Sequence, residues 1–245
     1  MKRVLLIVLA LVTFIVAVTA ATPLSFVLRK SPLSTFGVGW QQARGTIWKG
    51  QVVGLARDGL PLGSIDLTMS PLRLIGAGGG HRLTWRDGQS RAVAEIDVGR
   101  SQVALDRVGA EMSLAQFAPA ITEAFSTPNA RLRVRQGSIV YGTRGCERAS
   151  GTVTSDMLEE MGAQLGRVFP ELIGTLACDE GRLQAHLEGR ADDGTVIAVQ
   201  AREGDVISIT LDNLSRETGF ALAAAGYSVT GTHFEYTVPL SEEAS

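Results

Sequence analysis

No charged residue interrupts the chain from Val4 to Leu28, a run of 25 residues reading "VLLIVLALVTFIVAVTAATPLSFVL". A helix over Val4–Ala21 spans about 27 Å at ~1.5 Å per residue, close to a ~30 Å hydrocarbon core. Lys2 and Arg3 precede the run, and basic flanks stay on the cytoplasmic side. The sequence therefore predicts one transmembrane anchor at 4–21, a cytoplasmic tip at 1–3 and everything beyond exported. A cleaved signal peptide is the alternative, since Val18-Thr19-Ala20 before Ala21 offers the small residues a signal peptidase accepts. The run is longer than a usual h-region of about 7–15 residues, which favours the uncleaved anchor. Both readings put the same C-terminal region outside the cytoplasm.

The cysteines agree with export. There are two, Cys146 and Cys178, and an even count in an exported chain predicts one disulfide. With Lys2 and Arg3 set aside, 21 basic residues face 25 acidic ones. That balance lacks the basic excess of a nucleic-acid-binding domain, so no nucleic-acid partner is expected. In "RLRVRQ", Arg131, Arg133 and Arg135 alternate with Leu132 and Val134 and share one strand face. The expected environment is solvent. A docking face for an acidic partner or lipid headgroup is the alternative.

Beyond a juxtamembrane connector at 22–36, the hydrophobic pattern has period two. "TIWKGQVVGLA" and "LGSIDLTMS" read as strands, the second placing Ile65, Leu67 and Met69 on one face before Pro71 stops it. Four glycines lie between Gly76 and Gly80. A phosphate loop needs a helix after the glycines, but "HRLTWRDGQSRAVAEIDV" follows, a hairpin with an Asp87-Gly88 turn. Strands continue through "SQVALDRVGAEM", "NARLRVRQGSIVYG" and "CERASGTVTS". A short helix after Ser113 has Gln116 as its capping-box partner and is broken by Pro119. The clearest helix is "SDMLEEMGAQLGRVF", capped by Ser155, with Asp156, Glu159 and Glu160 at the positive end of its dipole. It lies between the cysteines, so the disulfide staples a strand-helix-strand excursion. "ELIGTLACDEGRLQAHLEGR", "TVIAVQARE" and "DVISITLDN" are further strands, with a turn at Asp193-Gly194. "SRETGFALAAAG" reads as a short helix and "YSVTGTHFEYTVPL" as a closing hairpin.

The sum is a mainly β domain at 37–240, antiparallel, a curved sheet or sandwich of roughly ten to thirteen strands with two or three short helices. Two strand-rich halves, 37–112 and 128–240, are expected, with a tail at 241–245. Chemistry is sparse. No G-x-S-x-G elbow is present, and His81, His186 and His233 show no ligand spacing with the cysteines. The pairs Glu159-Glu160, Asp179-Glu180 and Asp192-Asp193 fall at helix starts and turns. No catalytic, cofactor-binding or metal-ligating residue is assigned, and no enzyme is expected.

The assembled features resemble the type II secretion system protein N family. The local likeness starts at "ARGTIWKGQVVGL", where Gly45, Trp48 and Gly50 match a glycine-any-hydrophobic-tryptophan-any-glycine element after the anchor. An alternating strand and a proline with leucines follow in "LPLGSIDLTMSPLRLIG", which includes Pro71. "CERASGTVTS", "LACDEGRLQAHLEG" and "GTVIAVQAREGD" extend the likeness. Family members often carry a tryptophan on the strand before the proline; "DLTMSP" has none. The resemblance implies a non-catalytic inner-membrane subunit, single-pass, with its C-terminal domain in the periplasm. It would assist export of folded proteins across the outer membrane and contact other inner-membrane secretion subunits. A periplasmic lipid-binding or lipid-transfer module is the alternative, with lipid as its ligand. Trp48 is expected on a strand, sharing a face with Thr46 and Gly50 opposite Ile47 and Lys49, as an architectural residue.

Overall fold

A computed structural model describes residues 21–30, 38–57, 60–69, 81–99, 101–117, 122–123, 126–165, 168–204, 206–224 and 226–239. The expected membrane span up to residue 20, Pro71, the glycine run at 76–80 and the 241–245 tail lie outside them. Among the described residues, no helix is long and apolar enough to cross a membrane.

The chain is mainly β: among the described residues, fourteen strands of open antiparallel sheet with a few short helices. Its backbone divides into two compact units, residues 1–97 and 98–245. The first holds helix α1 (Leu24–Lys30) and strands β1 (Val38–Gly39), β2 (Gln42–Gly45), β3 (Lys49–Arg57), β4 (Leu60–Met69), β5 (His81–Asp87) and β6 (Ser90–Val98), the last reaching the boundary. Strands β3 to β6 form a meander, and β1 and β2 pair with successive stretches of β3. The Asp87-Gly88 turn closes the β5–β6 hairpin, with Gly88 at φ +54°, a conformation glycine adopts without steric cost.

The second unit runs β7 (Val103–Ser113), α2 (Leu114–Phe117), β8 (Arg131–Gly142), β9 (Gly145–Ser155), α3 (Met157–Leu165), β10 (Leu172–Asp179), β11 (Arg182–Arg190), β12 (Val196–Arg202), β13 (Val206–Asp212), α4 (Arg216–Ala224) and β14 (Phe234–Pro239). The strands pair in chain order from β7 to β14. Helix α3 interrupts the chain between β9 and β10, yet these strands still pair, Leu172 opposite Ser155. Ser155 Oγ accepts a hydrogen bond from the Met157 amide at 3.3 Å, satisfying one of the amides a helix start leaves open.

Period-two patterning explains the core of this unit. Val153, Leu172, Leu187, Ile197, Ile207 and Ile209 are buried together on one sheet face, covered by Met157 and Leu158 of α3. Each fully buried aliphatic side chain contributes about 1.5–3 kcal/mol relative to exposure.

Two expectations about local structure are corrected. The closing hairpin over 227–240 is a single strand, β14, which pairs with β13. Before it stands only an isolated bridge from Thr230 to His233. Tyr227 serves packing instead, meeting the rings of Phe234 and Tyr236 edge-on at 5.6 and 5.7 Å. The strand expected to run through Thr46 and Trp48 is broken there: these residues form the turn between β2 and β3.

Candidate functional site

Gly45 and Gly50 face each other across the base of the β2–β3 turn. The Thr46 amide donates to the Lys49 carbonyl at 3.0 Å. The Thr46 hydroxyl accepts from the amides of Trp48 (3.3 Å) and Lys49 (3.4 Å). A threonine that gathers the amides two and three residues on replaces the strand ladder with a turn, which is why alternation stops here. Gly45 sits at φ +79°, and a Cβ on it would collide with the Lys49 carbonyl. The face expected to unite Thr46, Trp48 and Gly50 is therefore absent.

The turn grips the chain that enters from the N-terminus. The Ile47 amide donates to the Thr22 carbonyl at 3.3 Å, and Pro23 bridges to Thr46. Leu24, at 4% exposure, is the buried residue of α1. It lies against Gly50, where an added Cβ would come within 2.5 Å of a Leu24 methyl and 2.8 Å of the Thr46 carbonyl. On its other side the turn is tied to β4, because the Trp48 carbonyl accepts from the Met69 amide at 2.7 Å. The Trp48 side chain is half-buried. The element is a socket: Gly45 makes the turn possible, Gly50 leaves room for Leu24, and Trp48 links the turn to the next strand.

A second cluster joins two hairpin tips. Cys146 and Cys178 are disulfide-bonded, with Cα atoms 5.5 Å apart. The Cys146 amide donates to the Gly181 carbonyl at 2.7 Å. Beside them the Tyr141 hydroxyl donates to Glu203 Oε2 at 2.8 Å, and the Leu183 amide donates to the same oxygen at 3.1 Å. Burial, and then the hydrogen bond to Glu203 and its charge, push the Tyr141 phenol well above its ordinary range. Asp179 meets Arg202 at 2.6 Å, so the Asp179-Glu180 pair belongs to a turn and its ion pair.

The arginine face of β8 is engaged within the chain. Arg131 pairs with Glu111 at 2.8 Å and Arg133 with Asp156 at 2.8 Å; Glu111 and Glu171 also lie within 4 Å of Arg133. Arg135 is exposed. Asp156 binds the Arg131 amide as well, at 2.6 Å, so the network fastens the start of α3 to β8. Arg131 and Arg133 meet carboxylates of their own chain, while the Arg131 side chain stays 44% exposed.

His186 meets Glu188 at 2.9 Å on exposed β11 surface, and His233 meets Asp212 at 2.7 Å. Among the described residues, no group of three or more His, Cys, Asp or Glu side chains could hold a metal ion. Shallow clefts lie among the described residues. One of about 440 Å³ lies along α4, lined by Leu214, Arg216, Phe220 and Val229; another, about 490 Å³, lies between Gln41, Val53, Pro61 and Arg86.

The model of the type II secretion system (T2SS) protein N family matches residues 36–206, about 70% of the chain. The chain belongs to that family. Its match opens just before β1 and takes in both the socket turn and the disulfide. No curated protein and no solved structure matches the chain. Membership assigns the protein a secretion-system role at the cell envelope.

Proposed function

We propose that this chain is a non-catalytic subunit of the type II secretion system, anchored in the inner membrane by residues 4–21 with its β domain in the periplasm. There it assists the export of folded proteins across the outer membrane through contacts with other inner-membrane subunits. The family match over residues 36–206 carries the reading. Three further observations support it. The uncharged run after Lys2 and Arg3 fits one span with a cytoplasmic N-terminus. A disulfide suits an oxidising compartment. Among the described residues, the socket turn, the disulfide and the β8 ion pairs hold strands and turns together.

Deletion of the gene tests the role. Folded secretion substrates are expected to accumulate in the periplasm and to return to the medium when the full chain is restored. Undiminished secretion in the deletion strain would overturn it.

A further inference from the structure

The socket turn fixes a helix whose outer side has no covering among the described residues. Leu24 of α1 is buried, whereas Phe26 is 59% exposed and Val27 40%. Residues two apart on a helix lie about 200° apart around its axis, so Phe26 points away from the sheet that Leu24 grips. Lys30 is four residues on from Phe26 and shares its side. Arg29 and Lys30 are both exposed and form the basic last turn of the helix. An outward side bearing Phe26 and flanked by two cations, with Val27 partly exposed nearer the Leu24 side, suits a layer that is apolar below and anionic above.

Chain length says which layer that is. Only Thr22 and Pro23 separate the expected span from Leu24. The step from Ala21 to Leu24 covers at most about 10 Å at ~3.3–3.6 Å per residue. The polar zone on each side of the hydrocarbon core is about 5–8 Å thick. Helix α1 therefore cannot leave the neighbourhood of the bilayer surface. We propose that α1, held by the Gly45–Gly50 turn, seats the first unit on an anionic phospholipid surface. Phe26 enters the headgroup layer, and Arg29 and Lys30 meet lipid phosphates. The proposal rests on the anchored reading above and adds a rigid stance to a tether. Thr22, Pro23 and Leu24 are bound to the turn, so α1 keeps its place on β2 and β3.

The test uses the full chain in nanodiscs of phosphatidylglycerol and phosphatidylcholine, with Cys146 and Cys178 kept joined. A bimane attached through Phe26→Cys places an apolar fluorophore at the seat. Nitroxide lipids labelled near the headgroup are expected to remove more than half of its emission and to shield it from iodide. Reversal of the cations (R29E/K30E) is expected to cut that quenching at least two-fold. A label that stays iodide-accessible, or is shielded without lipid quenching, in discs that retain the chain would overturn the seat and leave the anchor standing. Release of the chain from membranes by alkaline carbonate would overturn the anchor, and the seat with it.

Discussion

Gly50 shows how one missing methyl group can set the geometry of a whole segment. Its backbone is not in the left-handed region; the need for glycine is space. A Cβ would press on the Leu24 side chain, which can move, and on the Thr46 carbonyl, which the turn holds. Gly50→Ala is expected to destabilise the first unit by about 1–3 kcal/mol, the usual range for overpacking. Leu24→Ala removes one of the two clashes, so the double variant should lose less than the sum of the singles. Trp40, Trp48 and Trp85 all lie in this unit, so urea unfolding followed by tryptophan fluorescence reads it directly; strict additivity would mean that Leu24 does not meet Gly50. A second residue-scale effect concerns Asp193. The Thr195 amide donates to its carboxylate at 3.0 Å, and the Thr218 hydroxyl donates to the other oxygen at 3.0 Å. The bond from the Thr195 backbone, aided by hydroxyls including Ser215 and Thr218, lowers its pKa from 3.8 to about 2. A depressed carboxylate pKa stabilises the fold above the unfolded value of about 3.9 and loses that contribution as pH falls toward 2. Wild type should therefore exceed Asp193→Asn in unfolding midpoint above pH ~4, with the gap closing between pH ~4 and ~2. A gap independent of pH would show that the charge is not the cause.

Elements were legible in the sequence where turn chemistry agreed with periodicity. Asp87-Gly88 and Asp193-Gly194 mark two hairpins, and each glycine adopts positive φ in its turn. Helix α3 was legible through its Ser155 cap and first-turn acids. The β2–β3 turn was not, because Thr46, Trp48 and Gly50 keep period two while the Thr46 hydroxyl redirects the backbone. A side-chain-to-backbone bond of that kind leaves no trace in hydrophobic patterning. The closing hairpin failed for a related reason: the tyrosine of "YSVTG" reads as a strand residue but packs as a ring against Phe234 and Tyr236. Likewise the ion pairs of the arginine face were not legible, because Glu111, Asp156 and Glu171 come from distant parts of the sequence. The disulfide acts at this scale. It spans 32 positions, around β9, α3 and β10, so its loss widens the unfolded ensemble by the freedom of that loop. On the chain-entropy model the Cys146→Ser/Cys178→Ser variant should be about 3–4 kcal/mol less stable than the oxidised protein. Denaturant titration followed by far-ultraviolet circular dichroism checks this, and an unchanged midpoint would refute it.

At the scale of the whole molecule, the anchor run, the domain and the disulfide make one connected claim about compartment. Lys2 and Arg3 stand on one side of the uncharged run, and the rest of the chain, from Arg29 to Ser245, follows it. If the basic tip stays in the cytoplasm, both cysteines form their bond in an oxidising space. If the chain is not exported, a reducing cytoplasm keeps them as thiols. The redox state of Cys146 and Cys178 in living cells thus reports the topology of the entire protein. Cells expressing the full chain are acid-quenched, denatured and treated with a maleimide-linked polymer, which adds a fixed mass to every free thiol. The full chain is expected to remain unshifted until a reductant is added and then to gain two labels. A chain beginning at residue 22 behind a new initiator methionine lacks the export signal, and it should gain two labels without reductant. Two labels on the unreduced full chain would place its C-terminal domain in the cytoplasm and would remove the periplasmic role proposed for it. The same comparison separates folding from location. A Cys146→Ser chain exported normally should show one label whether or not reductant is present, since Cys178 then has no partner within the chain.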